Sequence, residues 1–123
     1  MPAVFSGTLS LVTKRFQDAM HLMRRSDPQK QEDGFHSLRP YAAGHVAELI
    51  DEFRAEHQDR GLRCWLLELI AEARSPEALP LLTEVAQSED EPLRDRALQA
   101  LTLLGTKEAR QVLWRERANR PIR

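Results

Sequence analysis

Cysteine is almost absent from this chain of 123 residues, where Cys64 stands alone. One thiol excludes an internal disulfide and suits a reducing compartment. It falls inside the most apolar stretch, where the ordinary role of a cysteine is a packed small hydrophobe rather than a reactive thiol. Lysine is nearly as scarce, at Lys14, Lys30 and Lys107, so positive charge comes mainly from arginine. No run approaches the ~18 uninterrupted apolar residues that a membrane helix needs. Met1 to Leu11 is mixed and Lys14-Arg15 follow it, unlike the basic start and continuous apolar block of a signal peptide. The expected location is therefore the cytoplasm. The five glycines and seven prolines are not gathered into a linker, and the length is that of one ordinary domain.

Residues that carry chemistry are also thinly spread. Cys64 has no evident base, and most Ser and Thr residues lie at helix starts, where capping accounts for them. No glycine-rich phosphate loop is present. His45, Glu48, Glu52, Glu56 and His57 cluster on one helix, with His45 in reach of Glu48. A carboxylate-bridged metal site also needs Glu-x-x-His ligands from facing helices, and the chain has no such pair. The cluster reads as a solvated acidic face. The expectation is a protein that is not an enzyme and holds neither metal nor cofactor.

What the chain does have is a segment that returns after 31 residues. Leu62-Arg63, Leu66-Leu67, Ile70, Glu77-Ala78 and Leu81-Leu82 are echoed by Leu93-Arg94, Ala97-Leu98, Leu101, Glu108-Ala109 and Val112-Leu113. A fixed period of this size marks stacked helical hairpins. The 3.6-residue periodicity predicts a first helix over about 8–25, striped by Leu9, Val12, Phe16, Met20 and Met23. Thr8 or Ser6 can cap it. Asp27-Pro28 opens a second helix that ends near Arg39-Pro40, and a third runs over about 41–57. The fourth, about 59–74, is apolar nearly all round, which predicts burial on several sides and a place in the middle of a stack. Trp65 reads as core. A fifth covers about 75–87, a sixth ends at Leu104 before a left-handed Gly105 cap, and a seventh follows Thr106. The units are thus 27–57, poorly patterned, 59–88 and 90–118, with a polar tail at 119–123.

These residues resemble HEAT repeats, specifically the short bacterial kind of the phycobilisome-lyase type. The resemblance rests on Asp59, Leu62-Arg63, Leu66 to Ile70, Ser75-Pro76, Glu77-Ala78 and Leu81-Leu82. It rests equally on Asp90, Leu93-Arg94, Ala97 to Leu101, Gly105-Thr106, Glu108-Ala109 and Val112-Leu113. The match is good over 59–117, loose over 27–57, and does not include the first helix. It implies a bacterial, all-α, right-handed α-solenoid of about three hairpins plus an extra N-terminal helix. It also implies that Asp59, Arg63, Asp90 and Arg94 are structural, as caps and inter-repeat hydrogen bonds. The His-Glu dipeptides of HEAT-repeat hydroxylases are missing, because His21, His36, His45 and His57 precede Leu, Ser, Val and Gln.

Charge is unevenly placed in this nearly neutral chain. Residues 44–57 and 76–91 are acidic, while the first 25 residues and residues 105–123 are basic. In stacks of this kind the second helix of each pair lines the concave side, which would show Glu48, Asp51, Glu52, Glu84, Arg110 and Arg117. An acidic floor argues against DNA or RNA, whose phosphates demand a continuous basic track, and suits a basic protein. Trp114 replaces Thr83 of the preceding unit, so the repeat does not require it; a core or capping role is expected, although an exposed tryptophan on this last helix would be a ready hot spot. The expected role is a non-catalytic protein-interaction module: an adaptor, scaffold or regulatory subunit. One alternative is an immunity protein or antitoxin against a basic toxin. Another is nucleic-acid binding through the basic C-terminal helix. The N-terminal stripe of Phe5, Leu9, Val12 and Phe16 further suggests self-association unless that helix folds back.

Overall fold

The computed structural model describes the backbone of residues 6–119 and the side chains of residues 14–119. Phe5, Arg120 and Arg123 lie outside the described residues, as do the side chains of Ser6, Thr8, Leu9 and Val12. Among the described residues there are seven α-helices and no strand: α1 Ser6–Met23, α2 Pro28–Leu38, α3 Val46–Ala55, α4 Arg60–Ala73, α5 Leu79–Ala86, α6 Glu91–Leu104 and α7 Lys107–Asn119. Two 3-10 turns, Arg39–Gly44 and Pro76–Ala78, precede α3 and α5.

Aspartates set the helix starts. Asp27, Asp59 and Asp90 each hold extended backbone and accept a hydrogen bond from a first-turn N–H, at Gln29, Leu62 and Leu93 respectively. Each thereby satisfies a donor that the first turn leaves without an intrahelical partner. Thr106 does the same for α7, accepting from Ala109 N at 3.1 Å. At the far ends, α4 and α6 stop in left-handed backbone at Arg74 (φ 48) and Gly105 (φ 67), the conformation that closes many helices.

Two expected helices are shorter than their patterns. The helix expected over 41–57 is α only from Val46 to Ala55. Pro40 offers no N–H to the ladder, and the chain tightens into a 3-10 turn before His45 breaks it at φ −128, ψ 23. The helix expected over 75–87 begins as the 3-10 turn at Pro76 and becomes α at Leu79, with Pro80 in its first turn.

The chain divides into two compact units, residues 1–41 and 42–123. The division falls inside the 27–57 segment, so α2 belongs with α1 and α3 with the later helices. In the first unit α1 and α2 pack against each other across a short turn. Phe16, Ala19, Met20 and Met23 of α1 are buried, as are Gly34, Phe35 and Leu38 of α2. Gly34 faces the α1 backbone at close range. A Cβ built there would lie 2.6 Å from the Ala19 carbonyl oxygen and 2.8 Å from Met23 Cγ, so only glycine permits that approach.

In the second unit α4 stacks on α6, α5 packs on α6 and touches α7, α6 packs on α7, and α3 lies against α4. First helices thus meet first helices between hairpins α4–α5 and α6–α7, the arrangement of an α-solenoid. Leu66, Leu67, Leu69 and Ile70 of α4 are essentially without exposure, and so are Leu49, Phe53, Leu82 and Leu101 around them. Trp65 departs from its expected core position and is half-buried. Its neighbour Cys64 is also only partly buried.

Candidate protein-interaction surface

Several charged side chains of the second unit are engaged within the stack. The engaged ones recur near the repeat period. Arg54 of α3 meets Glu84 of α5 with two parallel hydrogen bonds of 3.0 Å. Arg60 Nε lies 3.0 Å from Asp90 Oδ2, and Arg96 Nε lies 3.4 Å from Glu68 Oε1. Asp90 therefore caps α6 with one oxygen and holds Arg60 of the preceding unit with the other. Arg63 donates to the Phe53 carbonyl at 3.4 Å and stacks over the Phe53 ring at 3.9 Å. Arg94 donates to the Ser88 carbonyl at 3.5 Å. Both arginines thus tie the start of one hairpin to the chain just before it, an arrangement that a planar fork of donors suits.

These contacts decide the fate of the acidic residues expected on the floor. Glu84 is not a bare carboxylate: Arg54 holds its carboxyl below the ordinary range, chiefly through their hydrogen bonds, and Glu84 holds the Arg54 guanidinium above its own. The pair borders a concavity of ≈ 300 Å³ floored by Phe53, Leu81 and Val85. Glu48 accepts a 2.8 Å hydrogen bond from Nδ1 of His45, whose side chain is only 4 % exposed. Asp51 is exposed and Glu52 half-buried on the same helix. Among the described residues no three His, Cys, Asp or Glu side chains gather in a way that could hold a metal ion.

A group of cations outside these pairs lies on α7. This helix buries Ala109, Val112, Leu113 and Glu116, which fixes the opposite face outward. Lys107, Arg110, Gln111, Trp114 and Arg115 line a concavity there of ≈ 530 Å³. Trp114 departs from the core or capping role expected of it: it is 70 % exposed, the most exposed large apolar side chain among the described residues, because Ala109, Val112, Leu113 and Glu116 take the buried face of the helix. Arg110 is steadied by a 2.7 Å hydrogen bond to the Gly105 carbonyl, so the left-handed cap of α6 also orients a cation of α7. Arg117 lies one turn beyond Trp114 and is exposed. Lys107, Arg110, Arg115 and Arg117 form no ion pair with a described carboxylate, in contrast to Arg54, Arg60, Arg94 and Arg96.

Of the residues expected to bind a partner, the structure gathers Arg110, Trp114 and Arg117 on one helix. Glu48, Asp51 and Glu52 sit together on α3, and Glu84 is joined to that helix through Arg54; none of the four lines the α7 concavity. Sequence reasoning missed the cross-repeat pairs, although separations of 30, 30 and 28 residues lie close to the 31-residue period. It also missed the burial of His45 and Glu116, for which polar residues offer no periodic signal.

The comparisons agree with this architecture. No curated protein and no solved structure matches the chain significantly. The family model for HEAT repeats matches residues 46–122, from the first residue of α3 to beyond the end of α7. That span is more than half of the chain and contains all the stacked helices of the second unit. The chain belongs to the HEAT-repeat family.

Proposed function

We propose that this protein is a non-catalytic interaction module of the cytoplasm, an adaptor or regulatory subunit, whose protein partner docks on the outward face of α7. HEAT repeats are in general protein-interaction modules, and a stack of short hairpins offers faces rather than an enclosed reaction chamber. The observation that carries the reading is Trp114. A large amphipathic ring so exposed on α7 contributes little to the core, yet it supplies the contact area from which interface hot spots are built. The Glu84–Arg54 pair weakens the alternative of a basic partner or toxin on an acidic floor, because a carboxylate expected to attract it is already engaged.

The test is affinity capture of the tagged chain from its native host at low and moderate salt, with Trp114→Ala run in parallel. One stoichiometric protein retained by the parent at both salts and lost by the variant is the expected result. A partner held equally by both would move the interface away from α7. Recovery of nucleic acid that disappears at moderate salt would overturn the reading in favour of a phosphate-binding helix.

A further inference from the structure

Resting on that reading of α7, we infer that the partner presents an acidic segment, with one apolar side chain set against Trp114 and carboxylates on the surrounding cations. Three independent features of the face converge on this chemistry. Lys107, Arg110 or Gln111, and Trp114 follow one another at three- and four-residue spacing, and Arg117 continues the row, so all share a single stripe. The stripe from position 107 to 117 is about 15 Å long at the helical rise, the reach of four or five residues of extended peptide. Its cations have no internal ion-pair partner among the described residues, whereas Arg54, Arg60, Arg94 and Arg96 of the earlier helices form theirs.

Arg110 adds pre-organisation. Its guanidinium gives one N–H to the Gly105 carbonyl at 2.7 Å, which holds the fork in place and leaves further donors for a carboxylate. Trp114 lies between the cations over the concavity of ≈ 530 Å³, where an aliphatic or aromatic side chain gains contact while its flanking carboxylates stay at the basic rim. Nucleic acid fits less well. The positions one period earlier are Pro76, Leu79, Pro80, Thr83 and Glu84, so the positive strip does not extend along the stack as a phosphate track would need.

The experiment is selection from a random-peptide phage library on immobilised full chain, with Trp114→Ala and the charge reversal Arg110→Glu/Arg117→Glu as counter-targets. All three substituted residues are exposed, so the variants fold, as circular dichroism would verify. The expected result is enrichment of peptides carrying several Asp or Glu around an apolar residue. A synthetic copy of the most enriched peptide should bind each variant on the order of tenfold more weakly than the parent. Enriched peptides that lack acidic bias but still need Trp114 would overturn the acidic segment and leave α7 as the interface. Peptides that bind parent and Trp114→Ala alike would overturn both. So would failure to enrich any peptide together with salt-sensitive binding of an oligothymidylate probe that the charge reversal abolishes.

Discussion

Gly34 shows how a single atom can decide whether two helices meet. Any side chain there must displace the Ala19 carbonyl, which is backbone and cannot rotate away. Gly34→Ala is expected to destabilise the α1–α2 pair by about 1–3 kcal/mol, the usual penalty for forcing volume into a packed contact, measurable by urea unfolding. Arg74 poses the opposite case. It occupies left-handed backbone at the position where the next unit has Gly105. Arg74→Gly should therefore stabilise the protein, by about 0.5–1 kcal/mol, by relieving a conformation that L-residues avoid. Partial burial raises the Cys64 thiol above its ordinary value, with Arg96 opposing the shift. Its reaction with a thiol reagent near neutral pH should be slower than that of a free cysteine and should recover on denaturation. Residue-level reading of the chain succeeded where a role follows from local geometry, as with the capping Asp27, Asp59 and Asp90. It failed for Trp65, His45 and Glu116, whose exposure depends on segments far away in sequence.

Helix α6 depends on what precedes it. Asp90 accepts the Leu93 N–H and faces Arg60, so Asp90→Ala loses a cap worth about 1 kcal/mol and one inter-repeat contact together. Asp90→Asn keeps the cap and loses the charge, which separates the two effects in thermal melts. The Arg54–Glu84 clamp between α3 and α5 gives a signed pH dependence. Because the folded Glu84 carboxyl sits below its ordinary value, its contribution is present above the unfolded-state value and fades as pH falls through the folded one. Glu84→Gln should flatten the acid limb of the stability–pH curve slightly, the pair being solvent-exposed. Element positions were legible wherever a cap and an apolar stripe agreed, which is why α4, α6 and α7 lie within a residue or so of their expected bounds. Tyr41 to Gly44 and Pro76 to Ala78 continue helical patterns yet form 3-10 turns. A stripe alone does not register the missing proline N–H.

For the whole molecule, the stack places α4 and α6 at the centre of the second unit, and protection should follow. Hydrogen exchange is expected to be slowest in these two helices and faster at the outer turns of α7. Leu66→Ala, removing a side chain with no exposure, should cost about 2–5 kcal/mol, read by chemical denaturation. The 31-residue period made the stacked architecture readable, because a regular repeat records inter-hairpin packing in one dimension. The interface was readable only in part. Trp114, Arg110 and Arg117 stood out, but pairing across units decided which other charges remain available. Asp59 and Asp90 lie one period apart, and each caps a first helix through the same N–H. Asp90 also holds Arg60 of the unit before it, so a unit that opens on such an aspartate can bond to its predecessor as a brick does to the next in a course. A second copy of residues 59–89, spliced in after position 89, would meet Arg60 with its own aspartate and offer a fresh Arg60 to Asp90. The protein is in this sense a template for longer versions of itself, with α7 and its tryptophan carried farther along the row.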